Sequence, residues 1–207
     1  GEEDDGAEIV SYLKEHKITA IDKLIITHYD SDHIGGAAAL LDYAEVGEVL
    51  VPAYSKGSST YRRFTAAMEA AGIQPTALTE TLTFELDRAQ YTVYPPERTS
   101  YPNNEDNEYS LIVGVTHGEN RFLFAGDALT ERLGEFTALG EGTYDFLKVS
   151  NHGDYFEGAE AFFRAVSPKY AAITCSDKNP ADARTVSALE AVGAQVFLTR
   201  DGSVKVT

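Results

Sequence analysis

At 207 residues, with 43% hydrophobic and 24% charged side chains, the chain suits one large domain with a sizeable core. Its formal charge of −16 argues against a long nucleic-acid partner gripped by a broad basic footprint; the only local basic pair is Arg62-Arg63. A single cysteine, Cys175, excludes an intramolecular disulfide and a cysteine-rich zinc site, and its apolar neighbours predict a buried core thiol.

Taken in chain order, the periodicities predict a helix over 7–14, a strand over 23–27 and a helix over 36–43. A strand over 48–51 and a helix over 60–71, stopping at Gly72, follow. The middle changes character: 82–86, 90–94, 109–115 and 121–124 are short runs rich in Thr, Val, Tyr and Phe, which predict meandering antiparallel strands. Residues 95–107 form a loop long enough to be functional. Alternation then resumes, with helices over 130–137, 159–166 and 181–192 and strands over 145–149 and 170–174. Residues 195–198 and 203–206 are expected to close as a hairpin around Asp201-Gly202. No domain boundary is visible, so 1–207 reads as a single α/β domain. The apolar runs are too short to span a bilayer, and the acidic start, 1–5, lacks the basic-then-apolar order of a signal peptide.

One stretch stands apart. His28, Asp30, Asp32 and His33 fall within six residues, directly after the apolar run 24–27 and before Gly35-Gly36. Imidazole nitrogen and carboxylate oxygen are the donors that zinc and manganese accept. Two further segments share this grammar: Phe122-Leu-Phe-Ala-Gly-Asp127 and Phe146-Leu-Lys-Val-Ser-Asn-His-Gly153 are apolar strands that each deliver a donor beside a glycine. Three such strand ends predict one convergent site at a sheet edge. His16 and His117 are expected to face solvent.

These motifs, His28-Tyr-Asp-Ser-Asp-His-Ile-Gly-Gly36, Ala125-Gly-Asp127 and Leu147 to Gly153, resemble the metallo-β-lactamase fold hydrolases. The whole order is most similar to the soluble hydrolase-like domain of ComEC-type competence proteins. Asn107 to Val113, Phe162 to Ile173 and Thr199 to Lys205 are further matches. The resemblance implies an αββα sandwich lacking the usual N-terminal strands, with Gly1 at the glycine of an Asp-x-Gly turn. Such a truncated domain would leave a sheet edge open for oligomerisation.

The resemblance also implies two divalent ions, zinc or manganese. His28 and Asp30 would hold one, Asp32 and His33 the other; Asp127 would bridge them and His152 complete the second. A metal-activated hydroxide would attack, with Asp32 as ligand and proton acceptor. Several positions depart from the family pattern. Asp30 replaces a histidine, which shifts preference toward manganese. The third-motif histidine is replaced within Asn103-Asn-Glu-Asp-Asn107, where Asn107 or Asp106 either approaches the metal or shapes the loop. Asn151 replaces the first of two adjacent histidines. The first ion is therefore expected to be weakly held. Lys148 either reaches a substrate phosphate or is a surface lysine, and Tyr29 and Tyr155 flank the site.

The expected activity is metal-dependent hydrolysis of a phosphodiester in a small phosphorylated substrate or short nucleic acid. Alternatives are another ester, thioester or lactam, or a partner-binding module with a degraded metal site. The resemblance places the chain as a soluble bacterial domain, cytoplasmic or exported.

Overall fold

The structure, a computed structural model, describes residues 2–102 and 105–206. Gly1, expected at the Asp-x-Gly turn, and Asn103 and Asn104 of the third motif lie outside the described residues. Two compact units divide the chain between Thr79 and Glu80.

The first unit holds helices α1 (Asp5–Glu15), α2 (Ser31–Ile34), α3 (Ala37–Tyr43) and α4 (Ser59–Ala70), and strands β1 (Ala20–Ile25), β2 (Glu45–Pro52) and β3 (Thr76–Leu78). The strands form a parallel sheet in the order β1-β2-β3. Val49 and Val51 of β2 pack with Leu41 of α3 and Phe64 and Met68 of α4 in one buried cluster. Glycine at three positions lets α1 approach the turn behind it. A Cβ on Gly35 would lie 2.5 Å from the Ser31 carbonyl oxygen and the Glu3 nitrogen, and one on Gly6 would lie 2.9 Å from the Ala39 Cβ. Gly36 sits against Gly6, completing that close packing.

The helix end expected at Gly72 is present and has a clear cause. Gly72 takes φ 69°, its N–H donates to the Glu69 carbonyl at 3.0 Å, and Ile73 N–H donates to the Met68 carbonyl at 2.9 Å. These two bonds satisfy carbonyls that the helix leaves open. At the other end the Ser58 hydroxyl accepts the Tyr61 N–H at 3.1 Å.

The second unit carries β4 (Leu82–Leu86), β5 (Ala89–Tyr94), β6 (Ile112–His117), β7 (Asn120–Phe124), β8 (Phe146–Lys148), β9 (Tyr170–Ile173) and β10 (Gln195–Leu198). They form one seven-stranded sheet in the order β10-β9-β8-β7-β6-β5-β4. Strands β4 to β7 pair antiparallel, as the Thr- and aromatic-rich runs predict. From β7 to β10 the pairing is parallel, with α5 (Thr130–Ala138), α6 (Ala159–Val166) and α7 (Ala183–Ala191) in the connections. Leu123, Leu147 and Ile173 are buried with Leu133, Phe136, Phe163 and Leu189 from the helices.

Three expectations are corrected. Residues 106–109 form a 3-10 turn, so the strand expected from Tyr109 begins only at Ile112. The closing hairpin is absent: 199–201 is a 3-10 turn and 202–206 carry no strand. Gly202, at φ 140° and ψ 177°, is not in a tight hairpin turn. Instead residues 203–206 line an open groove with Phe146, Tyr170 and Phe197, and Val206 stays exposed. His16 and His117 are exposed as expected, whereas Cys175 is half-buried at the edge of the core rather than inside it.

Candidate metal centre

Each unit carries its own group of donors. In the first unit, β1 is followed by one more ladder bond, from Ile26 N–H to the Leu50 carbonyl at 2.9 Å. The chain then leaves the carboxyl end of the sheet, where open α/β sheets present ligands. Asp30 stays extended at φ −71° and ψ 152°, and its carbonyl accepts the N–H groups of His33 and Ile34, both at 3.0 Å. That turn folds the four donors back on themselves. The rings of His28 and His33 lie 4.1 Å apart. His28 Nε2 is 3.7 Å from Asp30 Oδ2, and His33 Nε2 is 3.2 Å from Asp32 Oδ2.

His28 is fully buried, and its Nδ1 lies 3.1 Å from the Thr27 hydroxyl. Asp30 is partly exposed, and its Oδ1 accepts the Lys56 ammonium. Tyr29, expected to flank the site, is buried: its N–H donates to the Tyr54 hydroxyl at 2.9 Å and its own hydroxyl donates to the Pro52 carbonyl at 3.2 Å. Burial, then the neighbouring Tyr61, pushes its phenol well above the ordinary range. Tyr29 is therefore a fixed wall of the turn.

In the second unit, parallel pairing sends the ends of β7, β8 and β9 out at the same edge. Asp127 follows β7, His152 follows β8 and Thr174 follows β9. Asp127 is buried; its Oδ2 lies 3.2 Å from His152 Nε2 and its Oδ1 lies 3.4 Å from Lys148 Nζ. His152 Nδ1 lies 2.9 Å from the Thr174 carbonyl oxygen. A carbonyl can only accept, so Nδ1 carries the proton. That orients Nε2 toward the carboxylate in the manner of a metal-ligating histidine.

The turn bearing His152 is strained in a way that explains its sequence. Asn151 and His152 take φ 45° and 52°, a left-handed region that few side chains tolerate and asparagine tolerates best. Gly153 follows at φ 80°, and a Cβ there would lie 2.6 Å from Ile173 Cγ2. Asn107 Nδ2 donates to Asn151 Oδ1 at 3.4 Å, so the third-motif asparagine lies beside the His152 turn. The other asparagine oxygen, Asn107 Oδ1, is buried with no protein hydrogen-bond partner among the described residues. Lys148, expected either at the surface or on a phosphate, donates to the Gly126 carbonyl at 3.0 Å as well as facing Asp127.

Three residues holding this half were not singled out from sequence. Glu108 is buried, and its carboxylate accepts the N–H groups of Leu129, Glu131 and Arg132 at 3.2, 3.0 and 2.9 Å. It thereby caps the start of α5, immediately after Asp127. Arg132, also buried, donates to the Ser110 and Tyr94 carbonyls at 3.0 and 2.7 Å and pairs with Glu135. Burial pushes the Arg132 guanidinium down, and Glu135 opposes that shift. The third is Thr174, visible only as a strand terminus in sequence. Beside Asn151 a cavity of about 610 Å³ is lined by six carboxylates and one guanidinium, Arg184, which lies over the ring of Tyr155 at 4.1 Å.

The donor chemistry fits divalent cations. At His152 an Nε2 lone pair facing a carboxylate oxygen at 3.2 Å places two acceptors together, an arrangement that a shared proton or cation relieves. In the first unit His33 Nε2 lies at the same 3.2 Å from the Asp32 carboxylate.

Residues 1–176 match the family model of the metallo-beta-lactamase superfamily, and the chain belongs to that superfamily. It is similar to Recombination protein 2 of Haemophilus influenzae, with 28% identity over 84% of this chain and 20% of that protein. Competence protein ComA of Neisseria gonorrhoeae is 29% identical over 79% of this chain and 21% of its own length. The chain thus spans about a fifth of the length of these curated relatives. Among solved structures, the metallo-beta-lactamase fold protein YhfI of Bacillus subtilis superposes with a TM-score of 0.58. That match has 12% identity and covers 93% of this chain and 78% of that one, and it shows the shared fold.

Proposed function

We propose that the chain is a metal-dependent hydrolase whose metal ligands are His28, Asp30, Asp32, His33, Asp127 and His152. Asp32, His33, Asp127 and His152 are donors of the kind that would hold a divalent cation. His28 and Asp30 would offer a weaker second position, and Asn107 a further oxygen. The observation that carries this reading is the fixed His152 ring: Nδ1 donates to the Thr174 carbonyl, leaving Nε2 aimed at the Asp127 carboxylate. Zinc and manganese both suit this set, and the oxygen-rich Asp30 side favours manganese.

A bound divalent cation supplies charge stabilisation and lowers the pKa of water toward neutrality. The remaining work falls to the protein. Asp32 accepts the proton of the attacking water. Thr174 fixes the tautomer of His152, and Glu108 holds the Asp127 loop against the start of α5. Among the described residues no side chain is needed as a covalent nucleophile.

For substrate, we place a phosphodiester first, in a small phosphorylated molecule or a short nucleic acid. Likeness to a competence protein and a recombination protein supports nucleic acid. A charge of −16 and an acid-lined cavity disfavour a long duplex. The test is hydrolysis of bis-nitrophenyl phosphate with added manganese or zinc. Turnover that Asp127→Ala abolishes supports the reading, and metal-independent turnover that survives it overturns the reading. A labelled oligonucleotide and a thioester, run in parallel, sort phosphodiester from other ester chemistry. A partner-binding module without turnover is the second reading, favoured by the lysines already seated on Asp30 and Asp127.

A further inference from the structure

We propose, on the phosphodiester reading above, that the cavity beside the His152 turn is a nucleobase subsite in which the Arg184 guanidinium receives the flat face of a base. The cavity, about 610 Å³, is lined entirely by residues of the second unit, and Asn151 of the His152 turn shares its wall with Tyr155 and Arg184. The guanidinium is held from two directions. Its Nε donates to both Asp182 carboxylate oxygens at 3.1 and 3.2 Å and its Nη2 to one of them at 2.6 Å, while one face lies over the Tyr155 ring at 4.1 Å. Tyr155 is itself fixed, since its hydroxyl donates to the Glu160 carboxylate at 2.8 Å. Asp182 is tied to the turn that carries the donor: its N–H donates to the Gly153 carbonyl at 3.1 Å, one residue beyond His152. A short chain of bonds therefore sets the Arg184 plane relative to His152.

The Arg184 side chain is nevertheless 66% exposed, which leaves its second face open to the cavity. A guanidinium with one face on an aromatic ring and the other open is a platform on which bases stack. Charge then selects what can lie there. Of the six carboxylates along the cavity, Glu108 is engaged by the start of α5, Asp182 by Arg184 and Glu131 by Arg98. Glu105, Asp154 and Glu157 remain, all exposed. Three such acceptors around one guanidinium repel a phosphate and accept N–H groups. A neutral base bearing N–H donors meets both demands: its face stacks on Arg184 and its edge donates to a carboxylate. Guanine offers two donors side by side, which one carboxylate accepts as a pair. The phosphodiester itself stays outside the acidic cavity, on the His152 side.

The test gives the full chain, with manganese, two substrates that share a leaving group: the para-nitrophenyl ester of guanosine monophosphate and methyl para-nitrophenyl phosphate. Calorimetry compares the binding of guanosine monophosphate with that of ribose phosphate. The guanosine ester should be preferred in kcat/KM by at least about ten-fold, mainly through KM, and guanosine monophosphate should bind tighter than ribose phosphate by a similar factor. Arg184→Met should bring both ratios close to one. Arg184→Lys, which keeps the charge and loses the plane, should do the same. A ratio, unlike a rate, is insensitive to a loss of folded protein. Ratios close to one in the parent, or ratios that either variant leaves intact, would overturn the subsite, while turnover of the methyl ester would keep the hydrolase reading. Preferential binding of guanosine monophosphate with turnover of neither ester would support the subsite and overturn the hydrolase reading. Neither binding nor turnover would overturn both.

Discussion

The two donor groups are held by different means. In the first unit one tight turn does nearly everything: Asp30 opens a short helix, and His28, Asp30, Asp32 and His33 follow from that single reversal of the chain. In the second unit, Asp127 and His152 come from separate strand ends, and parallel pairing with a buried polar network brings them to 3.2 Å. The first group depends on local geometry, so a substitution there acts mainly on the donor it replaces. The second depends on distant anchors, so substitutions well away from the donors should also be felt.

The largest expected effect is at Asp127. Asp127→Ala should lower manganese affinity and phosphodiester turnover by at least about a thousand-fold, since on the proposed function it removes a ligand of the catalytic cation. His28→Ala, at the weaker second position, should cost less than about ten-fold in affinity. Equal losses in a chelator-competition titration would erase the distinction between the positions.

Next comes the anchor. Glu108→Ala strands three backbone N–H groups at the buried start of α5 and should cost about 3 kcal/mol in urea unfolding. Replacing the Ser58 cap of α4 in the first unit, where one N–H is served, should cost about 1 kcal/mol. A Glu108→Ala chain as stable as the parent would show that this network is not what holds the Asp127 loop. Gly153→Ala should cost about 2 kcal/mol, because the new Cβ meets Ile173 and the residue must keep φ 80°.

The smallest effect is a pH dependence. Burial raises the phenols of Tyr94 and Tyr101 above their ordinary value of 10.0, and the Glu135 carboxylate raises Tyr101 further. The folded state therefore favours the neutral phenols while the unfolded chain ionises near pH 10. Their stabilising contribution is complete below that pH and is lost as pH rises toward the elevated folded values. Each should contribute a slope of about 1 kcal/mol per pH unit above pH 10. Tyr101→Phe should flatten the alkaline limb of a stability–pH curve, and an unchanged limb would contradict the assignment.

How far these features could be read in advance follows the same divide. The His28–His33 turn was legible because its donors are contiguous. Likewise Gly72 marks a helix end whose capping bonds span only a few residues. Asp127 and His152 were legible as strand-end donors, but what holds them was not. Glu108 serves N–H groups 21 to 24 residues downstream, and nothing in its local pattern distinguishes it from a surface acid. Arg132 reads as a helix-surface charge, yet its guanidinium is buried on carbonyls from two other segments. The three-residue strand Thr76–Leu78 was missed because it is too short to show a period and depends on pairing with β2. The expected hairpin at Asp201-Gly202 followed a local rule, but Gly202 takes φ 140° and ψ 177° and 202–206 form no strand.

The most direct measurement is an anomalous-scattering map of crystals grown with manganese. The account predicts a strong peak bonded at about 2.0–2.3 Å to atoms of both donor groups, Asp32 and His33 on one side and Asp127 and His152 on the other. A peak coordinated by one group alone, with the other more than about 8 Å away, would contradict it.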